Sequence, residues 1–337
     1  MTAPPRVPVI LCVDVEPDAR LPERGAAGPW LGYEATQRYV AALRPRLEDR
    51  TGEAARFAWF LRMDPQVATV HGSATWVAER YRAHLDDVAA RGDEIGVHPH
   101  AFRWLEAEGT WLQDFGDRSW VEHCLRSSLD AFAKAFGRPC RVLRFGDRWL
   151  STPMLNLAER LGIQYDLTVE PGAPPMASMR TDERTSAPLP DYRRVPREPY
   201  APALTDFRRR ARGGKRSIRM IPLTSAHRGL PRRRVMARVQ RVLRNGPRHW
   251  RQDTPLSMWR RWPAPNTFDR MLDRALAAQA RPYLAFAIRT DLADPDLREP
   301  IDACLQALLA HPAAPTFAVA TPAGAMAHLD GAATAAG

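Results

Sequence analysis

Apolar residues in this chain fall into short runs separated by longer stretches of three-and-four spacing. The first run, Val7-Pro8-Val9-Ile10-Leu11-Cys12-Val13, is continuous and predicts a buried core strand. Similar runs follow at Phe57–Leu61, Val142–Phe145, Tyr165–Val169, Tyr283–Ile288 and Thr316–Thr321, and Gly92–His100 reads as a further strand. Between them lie amphipathic stripes, each predicting a helix. One begins near Ala35 with Tyr39, Val40, Leu43 and Leu47 on one side and Pro45 as a kink. A second, 75–91, carries Val77, Tyr81, Leu85 and Val88, with Gly92 as its C-cap. A third, 119–136, carries Val121, Leu125, Leu129, Phe132 and Phe136. Thr152-Pro153 opens a helix through Leu161, Asn266 caps another bearing Met271, Leu272, Ala275 and Leu276, and a last spans about 299–309.

Strand and helix alternate, which predicts parallel strands with crossover helices. About eight such strands imply an α/β fold, a closed or nearly closed barrel whose site lies at the C-terminal strand ends. The rhythm breaks at 171–266, an Arg- and Pro-rich excursion with one strand at 217–223 and a basic helical piece at 235–243. It reads as an insertion in a single domain covering 1–330, with a flexible tail at 331–337; the Ala/Gly-rich residues after Met326 are expected to fray.

Composition narrows the class. The 337 residues are 45% hydrophobic and 26% charged, values of a soluble globular protein. No run of 18 apolar residues predicts a membrane span, the N-terminus does not read as a signal peptide, and the expected location is cytoplasmic. Cys12, Cys124, Cys140 and Cys304 share no CxxC spacing and are expected to be reduced core thiols. The net charge of +11 is uneven: residues 193–251 carry +17 and the remainder −6. Such a segment suits phosphate, uronate or an anionic surface, or is simply a solvated loop. Nucleic acid is an unfavoured partner, because only Tyr200, Phe207 and Trp250 interleave the arginines.

Chemistry gathers at the strand ends. The first ends in Asp14-Val15-Glu16-Pro17-Asp18, the third in His98-Pro99-His100, the fourth in Arg144-Phe145-Gly146-Asp147-Arg148-Trp149, and a late strand in Arg289-Thr290-Asp291. Residues i and i+2 of a strand share a face, so His98 and His100 can offer two nitrogens to one cation. Two imidazoles and a carboxylate form the ligand set of an open hydrolytic metal site, and a second carboxylate can act as base. The alternatives are acids that cap helices, a hydrogen-bonded core histidine, an arginine in a structural ion pair, and Trp149 as rim packing instead of a sugar platform.

Read in order, Asp14/Glu16, Glu94-Ile95-Gly96-Val97-His98, Arg144-Phe145-Gly146, Leu161-Gly162 and Tyr165-Asp166-Leu167-Thr168-Val169 resemble a polysaccharide deacetylase domain, carbohydrate esterase family 4 or NodB-homology. The likeness covers roughly residues 7 to 170, fits the later strands loosely, and does not extend to the basic excursion. It implies a distorted (β/α) barrel holding a divalent metal, commonly zinc, for removal of an N- or O-acetyl group from a sugar. Because no export signal is read, the expected substrate is a saccharide or saccharide precursor in surface-polysaccharide biosynthesis and not finished wall polymer. The likeness further implies that His98 is the first metal histidine, Asp14 the base and Arg144 the arginine that orients it.

This chain departs from the family pattern at three places. Its acids are Asp14, Glu16 and Asp18 in place of an Asp-Asp doublet, which leaves Glu16 or Asp18 to complete the metal shell, with strand alternation putting Glu16 beside Asp14. The second histidine is His100, two residues after the first where the family's falls four after. Arg289 occupies the place of the family's acid histidine and, being permanently protonated, cannot return a proton; it can steady an oxyanion or bind an anionic group on the substrate. Asp291 or Asp147 is then expected to protonate the leaving amine, and Asp147 and Trp149 to contact an acetylated, anionic or phosphate-linked saccharide. A deacetylase-like carbohydrate-binding protein without catalysis is the alternative.

Overall fold

The first apolar run forms β1 (Val7–Val15), the strand on which the sheet is built. It pairs in parallel with β2 (Ala58–Leu61) on one side and with β12 (Leu284–Arg289) on the other, and β13 (Phe317–Val319) joins its first residues. Beyond β2 follow β3 (Glu94–Val97), β6 (Val142–Leu143), β7 (Tyr165–Asp166) and β9 (Arg219–Met220), all parallel. Past β9 the chain reaches back to β12, the Thr224 N–H donating to the Ala285 carbonyl at 2.8 Å and the Ala285 N–H to Thr224 Oγ1 at 2.7 Å. The sheet thus curls into a half-barrel with helices around it, a distorted (β/α) barrel. This computed structural model describes residues 6–25, 28, 30–213, 216–227, 253–263, 266–290 and 295–334.

Alternation along β1 sorts the core into two layers. Val9, Leu11 and Val13 pack outward with the helices, whereas Ile10 and Cys12 pack inward with Ala58, Phe60, Val142, Leu167 and Ala285. Burying side chains of this size on both faces stabilises each by about 1.5–3 kcal/mol, which is why the strands read as unbroken apolar runs. Asp14 and Glu16 continue the inward set beyond Cys12, and so enter the barrel from the C-terminal ends of its strands.

The outer helices are α1 (Leu31–Thr51), α2 (Pro65–His71), α3 (Trp76–Arg80), α4 (Arg82–Ala90), α5 (Arg118–Phe136), α6 (Thr152–Arg160), α7 (Thr267–Ala277), α8 (Pro295–Ala310) and α9 (Pro322–Thr334). The helix expected over 75–91 is two, broken at Tyr81 (φ −113°, ψ 27°), whose ring packs edge-on against Tyr33 at 4.8 Å. The end expected to fray after Met326 is helical to Thr334: alanine favours helix, and Ala325, Met326 and Leu329 close the inner core from below. A hairpin not read from the sequence, β4 (Phe102–Leu105) and β5 (Thr110–Gln113), is extended in parallel by β8 (Arg184–Thr185).

Within the excursion, β10 (Ser225–His227) and β11 (Asp253–Pro255) pair antiparallel, and the strand expected at 217–223 shortens to β9. The helical piece expected at 235–243 lies outside the described residues. Many of the described arginines here face acids: Arg193 meets Asp191, Arg208 and Arg209 meet Asp206, Arg210 meets Glu198, Arg216 meets Glu159 and Arg219 meets Asp330. That pairing leaves less free positive surface than the charge count suggests. All four cysteines are buried and unbridged. Among the described residues no helix is long and apolar enough to cross a membrane.

Candidate metal centre

Glu16, His98 and His100 converge from the ends of β1 and β3, all buried, with one candidate ligand atom on each lying within 4.8 Å of the others. His98 Nε2 is 3.5 Å from Glu16 Oε1 and His100 Nε2 is 3.7 Å from Glu16 Oε2. His98 Nδ1 donates to the Arg144 carbonyl at 2.6 Å, which fixes the tautomer that leaves its Nε2 lone pair free for a ligand. His100 Nδ1 faces Asp147 Oδ2 at 3.0 Å, but neither ring nitrogen of His100 makes a hydrogen bond, an arrangement that costs free energy unless a ligand completes it.

Local backbone explains the seat. Gly146 lies against His100, and a Cβ there would collide with the ring. Asp147 and Arg148 follow with φ 51° and 50°, in the left-handed region that few side chains adopt. That turn delivers Asp147 to His100 and to Arg20, whose guanidinium lies 2.6 and 2.8 Å from the two carboxylate oxygens. Burial, then Arg62, pushes His100 down to about 4 against the pull of Asp147 and Glu16, so the ring is neutral at pH 7, as a metal ligand must be. Burial opposes the charge of Glu16, but Arg289, His100, His98 and Arg20 outweigh it and hold the carboxyl well below the usual range.

Asp14 stands beside the triad, its Oδ1 4.0 Å from His98 Nδ1. Arg144 Nε reaches both its oxygens, at 2.8 and 3.0 Å. A second arm of Arg144 donates to the Leu167 carbonyl at 2.7 Å, and the next residue's N–H donates to Thr168 Oγ1 at 2.8 Å. The end of β7 therefore holds this arginine. Asp166, which accepts from the N–H and hydroxyl of Thr168, is pushed up to about 7 by burial, against those hydrogen bonds and Arg144.

Asp18 does not approach the triad: it accepts from the N–H groups of Leu31 and Gly32 at the start of α1. Glu16 is the carboxylate that meets both histidines. Asp147, expected at the substrate or as proton donor, is turned inward to Arg20, Gln113 and His100. Burial disfavours its charge, but Arg20 and His100 more than compensate and hold it far below the carboxylate range; such a group gives up no proton near neutrality. Trp149 is buried and stacks on Phe115 at 5.1 Å, packing instead of an exposed platform. Arg289 is about one-fifth exposed with its NH2 3.8 Å from Glu16 Oε1, and Asp291 lies outside the described residues.

Several members of the site were not singled out from sequence. Arg20, in the loop after β1, contacts Glu16, Asp147 and Glu183, the last supplied by the excursion. Arg62 pairs with Asp64 and lies 3.8 Å from Glu16, while Asp64 accepts the His100 N–H at 3.1 Å and caps α2. The signal for Asp64 was its place before Pro65, an N-cap followed by proline. Nothing local marks Arg20 or Glu183.

No family model matches the chain, and no curated protein does. Solved structures do. A protein assigned as a glycoside hydrolase/deacetylase from Parabacteroides distasonis is 13% identical, with 96% of this chain and 71% of that one covered at a TM-score of 0.50. A PuuE allantoinase (13% identical, 98% and 95% covered) and a protein assigned as a polysaccharide deacetylase from Pseudomonas aeruginosa PAO1 (14%, 96% and 91%) each reach 0.48. At such identities the likeness speaks to architecture alone, and the first of the three carries it: the chain has a deacetylase-like fold.

Proposed function

We propose that this chain is a metal-dependent hydrolase that removes an N- or O-acetyl group from a saccharide or saccharide precursor used in surface-polysaccharide biosynthesis. The observation that carries the reading is the convergence of Glu16, His98 and His100, with His98 held by the Arg144 carbonyl and His100 Nδ1 facing Asp147, beside the Asp14–Arg144 pair. The donor set suits zinc or a similar divalent ion, and the unpartnered Nε2 of His100 fits a ligand position.

Glu16, His98 and His100 would hold such an ion, which would supply Lewis acidity toward an acyl oxygen and a nearby water. Asp14 is placed to accept a proton from the attacking water. Arg144 keeps Asp14 in one orientation, and Leu167 and Thr168 keep the β7 end in place beneath it. Arg289 remains charged and steadies negative charge on the attacked acyl group. The proton taken by Asp14 is then available to the leaving amine or alcohol, since Arg289 cannot return one.

Chelator-sensitive release of acetate from a panel of acetylated sugars tests the assignment; release unchanged by exhaustive chelation refutes metal dependence, and none from any member refutes deacetylation. One observation favours a second reading, a carbohydrate-binding protein without catalysis: Arg20, Arg62 and Arg289 all lie within 3.4–3.8 Å of Glu16 and oppose a cation there. Retention of sugar binding with neither metal nor turnover distinguishes it.

A further inference from the structure

Beside the metal centre lies a cavity of about 340 Å³, at the small end of the range for ligand pockets. Arg148 and Glu170 form its inner side. Met176, Met179, Arg193, Asp253, Trp259 and Arg260, all from the excursion, form much of the rest of the wall. The cavity is one ion pair away from the catalytic groups: Glu170 lies 3.6 Å from Arg148 NH1 and 3.8 Å from Arg144 NH2, and Arg144 grips Asp14. The turn that aims Asp147 at His100 presents Arg148 to this cavity one residue later.

Arg148 is more than nine-tenths buried, and its carbonyl accepts from the Tyr192 hydroxyl at 2.6 Å, which pins the turn. Among the described residues its buried Nε has no hydrogen-bond partner, its Nη2 has the Met176 thioether sulfur at 2.8 Å, and Glu170 Oε2 lies 3.6 Å from its Nη1. A guanidinium has five donors and, out of water, seeks oxygen acceptors for them. A thioether is a weak one. The pattern is that of an anion-binding group awaiting its anion.

Among the described residues the ion pairs at the site fall into two sets: Arg144 and Arg148 with Asp14 and Glu170, beside the cavity, and Arg20, Arg62 and Arg289 with Glu16, Asp64, Asp147 and Glu183, around the triad. Trp259, half-buried on the wall, supplies an aromatic face for the C–H side of a sugar ring.

We propose that this cavity binds the anionic part of a saccharide, a carboxylate or phosphate on the sugar, with Arg148 pairing the anion and Trp259 packing on the ring. The inference deepens the hydrolase reading and rests on it for the placing of the acyl group beside Asp14.

The test is calorimetric titration of the full chain with three probes: N-acetylglucosamine, its 6-carboxylate, and its 1-phosphate. At least one anionic probe is expected to bind about tenfold or more tightly than the neutral sugar, and the tighter of the two identifies carboxylate or phosphate as the source. Arg148→Gln abolishes the preference, and Trp259→Ala weakens binding of the preferred probe several-fold. Equal binding of all three, no binding of any, or a preference that survives Arg148→Gln overturns the proposal. Should Arg148→Gln fail to fold, unchanged affinity in Trp259→Ala overturns it instead, and several-fold loss supports it. Binding is read without turnover, so the two ideas fail separately. Anion preference with no acetate release refutes the hydrolase reading alone, whereas acetate release from neutral sugars with no anion preference refutes this one alone.

Discussion

Replacing Asp147 with asparagine keeps the size of the side chain and removes the charge that aims His100. In the structure Asp147 Oδ2 lies 3.0 Å from His100 Nδ1, and its oxygens accept from Arg20 at 2.6 and 2.8 Å. Losing the carboxylate behind a ligand histidine typically weakens metal binding 10- to 100-fold, or about 1.4–2.7 kcal/mol. A second effect has the same sign. Arg20 keeps Glu183 and Glu16 as partners, so it shifts its charge toward Glu16, already 3.4 Å away, and competes with the cation there. Because Arg20 is not left unpaired, the stability cost falls below the roughly 3–5 kcal/mol of a broken buried pair, and the variant folds. Competition for zinc against a chromophoric chelator at pH 7 measures the change, with Asp117→Asn, a helix cap on the surface, as the control. A Kd for Asp147→Asn equal to that of wild type would show that this carboxylate does not position a metal ligand.

Three other substitutions probe the account. Arg144→Lys loses the contact that reaches both oxygens of Asp14 and lowers kcat/KM about 10²-fold; metal content measured on the same sample stays at the wild-type level. Gly146→Ala places a methyl against the His100 ring, and overpacking of this kind costs about 1–3 kcal/mol, seen as a lower Tm together with loss of bound metal. Asp166 titrates near 7 when folded but near 4 when unfolded (about 3.9). Between those values the folded chain holds a proton that the unfolded chain has lost, so this group makes stability fall as pH rises through the window. Urea unfolding from pH 5 to 8 should show that slope in wild type and a flatter one in Asp166→Asn.

The barrel was legible because its strands are buried on both faces. Continuous apolar runs such as Val9–Val13 and Leu284–Ile288 mark such strands without any knowledge of partners. Residues at the ends of those strands, Asp14, Glu16, His98, His100 and Arg144, were therefore placeable at one end of the barrel, and the structure brings them together there. Asp147 faces His100 and Trp149 packs on Phe115, directions that follow from the left-handed turn at Asp147 and Arg148 and cannot be read from Gly-Asp-Arg. Arg20 and Glu183 are 163 residues apart and meet only through the fold, so no local pattern announces them. The hairpin of β4 and β5 escaped because Phe102–Gln113 mixes charged and aromatic residues with no clean alternation. The Ala-rich end was read by its Gly content, while Met326 and Leu329, which anchor it in the inner core, decide its helix.

The metal content of the purified chain tests the central claim most directly. Elemental analysis after removal of loosely held ions should give about one divalent ion per chain, zinc being the ion the ligand set suits best, and His98→Ala with His100→Ala should reduce it to background while Asp117→Asn leaves it unchanged. A wild-type protein free of metal after zinc supplementation, or a double variant that keeps its metal, would contradict the assignment of Glu16, His98 and His100.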